Sequence, residues 1–427
     1  MQQFFFSFSP KPHHMPEVLT ATAAPPPSAI KALKTSYRID SIDLLRGLVM
    51  IIMALDHTRD FFHKGGMTGN PLDLSTTTPI LYFTRWITHF CAPVFVFLAG
   101  SGAYFQSQRK NKKELSWFLI SRGLWLMFIE IFIFNFVFSF DVHYKLIGLQ
   151  TIWSIGVSMV VLGLVIWLPF SFIFILGALI VLGHNSLDFY EANFQAMGGG
   201  PGWGYSLLHQ PGLYKLWDGH SLFILYPFLP WSGLMMVGYC FGKLFVNHEG
   251  KERRKILVWL GIGIILLFAV IRAMNSYGDP GHWSRQKDGL YTFLSFMNVQ
   301  KYPPSLLFMC ATIGPAILFL AFVGNTKNRL GRFITVYGRV PFFYYVLHFF
   351  LIHLVASILF LARGHSFADG LAARPLLIPQ FFAPDEGYSL LTVYVIWICI
   401  VLSLYPLCKW FSDYKRTHRE KWWLSYL

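Results

Sequence analysis

From Leu149 to Gly183 the chain carries no charged side chain, and one proline, Pro169, is the only break in that apolar run. Such a run cannot be left in water, and in a bilayer its backbone polar groups must be satisfied within the segment itself. Helices of about 20 apolar residues are the way to do this. The rest of the sequence agrees. Hydrophobic residues make up 55% of the 427 positions and charged residues 13%, where a soluble domain carries about 25% charged. Mean hydropathy is +0.48. A soluble globular enzyme is excluded, and so is a disordered chain, which cannot be this apolar. The fold class expected is all-α, a polytopic helical membrane protein.

Span-length apolar segments fall near 44–62, 79–105, 116–139, 149–167, 170–183, 222–246, 256–274, 305–323, 334–361 and 389–411, which predicts about ten transmembrane helices. The fourth and fifth are separated only by Pro169, and that break decides whether the count is nine, ten or eleven. Residues 1–37, with PKPHH and ATAAPPPS and no sustained period, read as a disordered cytoplasmic lead-in to one membrane domain over 38–427.

The formal charge of +14 would suggest nucleic acid in a soluble protein. In a membrane protein the excess of Lys and Arg belongs instead to cytoplasmic connections, so no nucleic-acid partner is expected. Arg109, Lys110, Lys112 and Lys113 lie between the second and third segments. Lys251, Arg253, Arg254 and Lys255 lie between the sixth and seventh, Lys327, Arg329 and Arg332 between the eighth and ninth, and Lys415, Arg416, Arg419 and Lys421 in the tail. Ten helices with cytoplasmic N- and C-termini put all four groups inside. The long connections 184–221, 275–304 and 364–388 then emerge on the opposite face. Their Trp, Tyr, Gly and acidic residues suit stacking on sugar rings, or alternatively an aromatic belt at the interface. The five cysteines show no CxxC spacing and read as core thiols.

Ionisable residues inside spans are costly and mark function by default. The first segment concentrates them in two clusters separated by the apolar LVMIIMAL. Asp43 and Arg46 form the first, and Asp56, His57, Arg59 and Asp60 the second. Arg46 and His57 are about 16 Å apart along a helix. His57 can meet Asp60 at i+3, and a carboxylate beside an imidazole fixes its tautomer for general-base work. The structural alternative is an Asp56–Arg59 ion pair with His57 capped at the interface. The second segment adds Arg85 and His89 at i+4, and the ninth adds His348 and His353. His57, His89 and His348 would resemble a metal site if gathered, but no HxxxH or HxxE pairing supports zinc, and no metal is expected. The absence of GxxxxGK[ST] argues against an ATP-driven pump. A secondary transporter, which usually shows repeated halves, and a non-catalytic membrane scaffold remain the other readings.

The stretches RIDSIDLLRGLVMIIMALDHTRDFFH, from residue 38, and THFCAPVFVFLAGSG resemble the heparan-alpha-glucosaminide N-acetyltransferase catalytic-domain family, within the transmembrane acyltransferase superfamily. KYPPSLLFMCATIGP, YGRVPFFYYVLHFFLIH and the closing WWLSYL look like its bacterial branch. The resemblance implies a multi-pass protein of the bacterial inner membrane. It implies transfer of an acetyl group from cytosolic acetyl-CoA to a sugar hydroxyl or amine of an extracytoplasmic carbohydrate or cell-envelope glycan. Carried over by motif, His57 matches the essential His and Arg46 the Arg of the LRG element. The lysosomal members place their active His nearer the position of His63, so both histidines stand as candidates. In this reading Arg46, Lys110, Lys112, Lys113 and Arg329 hold the phosphates of the acyl-CoA. Asp56 or Asp60 orients His57, Arg59 or Arg85 steadies the oxyanion, and His89 completes the catalytic set. A covalent acetyl-His path is the alternative to direct transfer.

Overall fold

The computed structural model describes residues 27–196, 202–323, 328–372, 374–418, 420–421 and 423–424. The expected lead-in therefore lies largely outside the described residues, and helix begins at Pro27. In chain order the helices are α1 (Pro27–Phe62), α2 (Pro79–Trp86), α3 (Cys91–Ser107), α4 (Lys112–Ile129), α5 (Asn135–Ser139), α6 (Thr151–Val165), α7 (Phe170–Gly183), α8 (Ser186–Ala196) and α9 (Trp203–Leu208). They continue as α10 (Phe228–Asn247), α11 (Gly250–Met274), α12 (Gly289–Met297), α13 (Leu306–Phe322), α14 (Arg329–Arg339), α15 (Pro341–Ala362), α16 (Phe367–Leu371) and α17 (Leu390–Thr417). A 3₁₀ turn at Ile87–Phe90 joins α2 to α3, and a π-helical turn at Glu130–Phe134 joins α4 to α5.

Local chemistry sets the helix starts. Thr78 caps α2 through the amide of Leu81, with Pro79 at the first helical position, where a missing N–H is harmless. Asn111 and Glu114 form a reciprocal capping box at the start of α4. Pro169 ends the run from α6 and begins α7, as its lost N–H and restricted φ require.

All ten predicted segments contain a helix, but the expectation of ten spans is not met by length and apolarity alone. Among the described residues six helices qualify: Pro79–Ser107, Lys112–Ser139, α10, α11, α15 and α17. The pair α7 and α8, bent by 42°, makes a seventh if it is one span. The shortfall has physical causes. The Pro169 break leaves α6 with 15 residues, α13 has 17, and α1 carries Arg46, Asp56, Arg59 and Asp60 within its apolar length. The protein is a helical membrane protein.

Two further expectations need correction. The chain is not purely helical, because β1 (Leu146–Leu149), β2 (Gly212–Lys215) and β3 (Ser221–Ile224) form a small sheet in the order β1-β3-β2. β2 and β3 are an antiparallel hairpin whose Asp218-Gly219 turn uses the positive φ of 73° that glycine tolerates. Of the cysteines, Cys91, Cys240, Cys310 and Cys408 are buried free thiols as read, but Cys399 is exposed on α17.

Helix α1 is central, packing against α3, α14, α15 and α17. Glycine sets its closest approach. A Cβ at Gly338 of α14 would run into the carbonyl of Asp43, and one at Gly47 into that of Ile334. Small residues let membrane helices meet backbone to backbone, and here that contact brings the end of α14 beside Arg46.

Candidate active site

The second polar cluster of α1 is a buried ion network. The Asp56 carboxylate accepts from Arg59 Nη2 at 3.1 Å and from Arg85 Nη1, with Lys301 Nζ 4.0 Å away. Arg59 Nη2 also donates to Asp60 Oδ1 at 2.5 Å. Asp56 and Arg59 are 5% and 3% exposed, so these charges are desolvated and each depends on the others. Helical spacing places Arg59 under Asp56, the α2 cap and turn deliver Arg85, and the chain between α12 and α13 brings Lys301 and Tyr302.

His57 turns to another side of α1. Its ring lies 3.9 Å from Phe349 and 5.5 Å from His348, centroid to centroid. Its Nδ1 is 3.7 Å from Asp60 Oδ2, beyond hydrogen-bond range. The Asp56–Arg59 ion pair expected from helical spacing is therefore present, and His57 stands outside it.

His57 lines a cavity of about 480 Å³, within the usual size of a ligand site. Arg46, Arg122, Arg339 and Lys415 line the same cavity, as do Asp56, Asp60, Arg85, Lys301 and Tyr302. Apolar side chains such as Met50, Met53, Leu119 and Met159 make its walls. Arg46 is held there by Asp43 at 2.9 Å and by the Gly338 carbonyl at 3.3 Å. A second cavity of about 580 Å³ is lined by Arg59, Asn70, His89, His282 and Asn298, and it shares Asp60, Arg85, Lys301 and Tyr302 with the first. The two cavities thus adjoin at the charge network beside His57.

The remaining predicted residues divide. His89 lines the second cavity, its ring 5.2 Å from Phe308, and neither of its nitrogens has a hydrogen-bond partner among the described residues. His63 lines neither cavity. It pairs by backbone with Tyr388, where α1 meets the connection leading into α17. Lys110, Lys112, Lys113 and Arg329 also line neither. Lys112 Nζ donates to the Trp167 carbonyl at 3.1 Å, Lys110 stands 5.4 Å over Phe118, and Arg329 is exposed at the start of α14. His353 is a structural residue, with Nδ1 3.1 Å from the Val137 carbonyl and Nε2 2.9 Å from the Gln380 carbonyl, one of which takes the N–H of the neutral ring.

Neither spacing nor motif assigns a site role to Arg122, Arg339, Lys415, Lys301 or Tyr302, although Arg122 is a charged residue inside the third segment and Lys415 belongs to the basic tail cluster. They come from four separate parts of the chain, so no local spacing joins them. The GRV step before α15 was the one available signal, and it marks Arg339. Among the described residues, the ligating side chains that converge are Asp188, Glu191 and His209, within 4.8 Å, rather than His57, His89 and His348. Both His209 nitrogens are already engaged there, one by Glu191 at 2.6 Å and the other by His184 at 3.0 Å.

No curated protein and no solved structure matches the chain. One family does, described as heparan-alpha-glucosaminide N-acetyltransferase, catalytic, and it matches residues 38–272. That stretch holds Arg46, the Asp56 network through Arg85, His57 and His89, whereas Lys301, Arg339 and His348 lie beyond it. With more than half of its length matched, a helical membrane architecture and a partly buried His among carboxylates and arginines, the chain belongs to the heparan-alpha-glucosaminide N-acetyltransferase catalytic-domain family, a family of membrane acetyltransferases.

Proposed function

We propose that this protein takes an acetyl group from acetyl-CoA on the cytoplasmic face and passes it to a sugar hydroxyl or amine on the other face, with His57 as general base. The observation that carries the reading is one cavity lined both by four cations near one end of α1 and by His57 some 16 Å along it. Arg46, Arg122, Arg339 and Lys415 hold the donor's phosphates, and the apolar walls accept its pantetheine arm. The second cavity receives the acceptor. Its hydroxyl or amine loses a proton to His57 as it attacks the thioester carbonyl. Arg85 and Lys301 face the place where negative charge develops on that carbonyl oxygen. Collapse expels the thiolate, which takes the proton back from His57. Purified protein that releases free CoA from acetyl-CoA only when a glycan acceptor is present, with the acetylated product seen by mass spectrometry, tests the reading. No CoA release with any envelope glycan overturns it.

Ten membrane-crossing helices with both termini inside a bacterial cytoplasmic membrane fit this direction of transfer. Reporter fusions at residues 110, 252 and 330 are expected to report the cytoplasm, and fusions near 200 and 370 the opposite face. An outside signal at 252 rules out this arrangement.

The donor seat makes a separate prediction. Changing Arg339 and Lys415 together to Gln is expected to raise the Michaelis constant for acetyl-CoA by about ten-fold or more, since charge-assisted bonds contribute about 1.5–3 kcal/mol each. Changing Lys110, Lys112 and Lys113 to Glu is expected to leave it nearly unchanged. Steady-state kinetics at two salt concentrations checks both, because the wild-type constant should itself rise with salt. A donor constant that follows the three lysines moves the phosphates out of the cavity.

A further inference from the structure

We propose that His348 of α15, rather than a carboxylate, is the residue that orients His57: it accepts a hydrogen bond from one imidazole nitrogen of His57 and leaves the nitrogen beside Asp60 as the base. The inference rests on the acyl-transfer reading above and extends it to a residue outside the matched family stretch.

Sequence alone assigned the orienting role to Asp56 or Asp60, from helical spacing. The geometry gives those carboxylates other work. Asp56 is bonded by Arg59 and Arg85 and faced by Lys301, and Asp60 is bonded by Arg59. Asp60 also stands 3.7 Å from His57 Nδ1, too far to hold a neutral ring in place by a hydrogen bond. His57 therefore needs a different anchor.

His348 has the matching deficit. It is fully buried, and its Nδ1 lies 2.9 Å from the Tyr344 carbonyl. A carbonyl only accepts, so Nδ1 carries the hydrogen and Nε2 of the neutral ring is an acceptor. That Nε2 is buried and has no partner among the described residues, a costly state for a polar atom. Of the rings packed around it, Tyr344 at 5.0 Å, Tyr345 at 5.7 Å, Phe349 at 4.9 Å and His57 at 5.5 Å, Phe349 has no donor, the Tyr344 hydroxyl lies in a plane parallel to the imidazole rather than in line with Nε2, and no hydrogen bond joins the Tyr345 hydroxyl to His348, which leaves the N–H of His57 as the donor proposed. Stacking on Tyr344 within 8° of parallel keeps the His348 plane fixed. A rotation of His57 closes the chain from the Tyr344 carbonyl through His348 to His57. The closed chain sets His57 Nε2 as the N–H and Nδ1 as the base, open to the cavity and next to the negative Asp60. Catalytic hydrogen bonds are commonly long before substrate arrives.

In this arrangement the proton count stays simple. The acceptor's proton moves to His57 Nδ1 as its oxygen or nitrogen bonds to the thioester carbon, and it returns to the sulfur as the C–S bond breaks. His348 gains and loses no proton, so it is a positioning residue.

The test uses the full chain in lipid nanodiscs with cell-envelope glycan present as the acceptor, and CoA release is measured against acetyl-CoA concentration. His348→Leu and His348→Phe are both included, the latter keeping the stack on Tyr344 should the former fail to fold. They are expected to lower kcat by about 100-fold, the usual order for a misplaced catalytic group, with the donor KM unchanged. His348→Gln, whose side-chain oxygen accepts, is expected to recover most of that loss. The double variant His57→Ala with His348→Phe should be no slower than His57→Ala, because groups acting as a unit are not additive. Equal rates for Phe and Gln, losses that multiply in the double variant, or an unchanged kcat in the Leu and Phe variants each overturn the proposal while acyl transfer stands. Wild-type protein that releases no CoA overturns the acyl-transfer reading, and this proposal with it.

Discussion

His57→Ala is expected to lower acetyl transfer by about 10²–10⁴-fold, the typical contribution of a general base, in a protein that still folds and still binds acetyl-CoA. Folding should survive because His57 is partly exposed to the cavity and comes no nearer to a carboxylate than the 3.7 Å that separates it from Asp60. Donor binding should survive because Arg46, at the end of the cavity proposed to hold the phosphates, lies about 16 Å away along α1. His57→Gln should behave similarly, keeping hydrogen-bonding capacity without basicity. His63→Ala should cost little, since His63 lines neither cavity and its pairing with Tyr388 runs through the backbone. Kinetics on the three variants with donor binding measured in parallel decides the matter. Activity lost in His63→Ala and retained in His57→Ala would transfer the base to the register of the lysosomal enzymes.

The largest effect on stability is expected at Asp56. Its carboxylate is the counter-charge for Arg59, Arg85 and Lys301, all within 4.0 Å. Removing one partner of a buried network leaves the others uncompensated, at about 3–5 kcal/mol. Asp56→Ala should therefore give little monodisperse protein in detergent, or a melting temperature far below that of the wild type. Asp60→Ala is the comparison, since its side chain is 24% exposed and partners only one arginine. It should fold, with a smaller thermal shift. An Asp56→Ala protein as heat-stable as the wild type would mean that water or lipid headgroups reach the three cations, and the network would no longer count as a closed structural unit.

Much of this molecule was legible in one dimension. Apolar runs too long for water determined that it is a helical membrane protein, because backbone groups in lipid must bond within their own segment. Helical periodicity placed Asp56 and Arg59 together, since residues three apart share a face, and the first-helix pattern carried the family resemblance that the match over 38–272 bears out. Pro169 marked the break between α6 and α7. The hairpin of β2 and β3 has its sequence mark in the Asp218-Gly219 turn, which lies within a long polar connection.

What the linear pattern could not hold is the company each polar residue keeps. Lys110, Lys112, Lys113 and Arg329 form the visible basic clusters because interface positions gather charge, and the fold leaves them outside the cavity. Arg122, Arg339 and Lys415 are spread over almost 300 residues of sequence, and they line one cavity only because Gly47 and Gly338 let α1 and α14 touch and α17 packs beside them. Lys301 reaches Asp56 across 245 residues, and His348 meets His57 across 291. Local spacing determines which side chains share a helix face, but which faces meet is decided by packing between helices distant in sequence, and only the tertiary structure contains that.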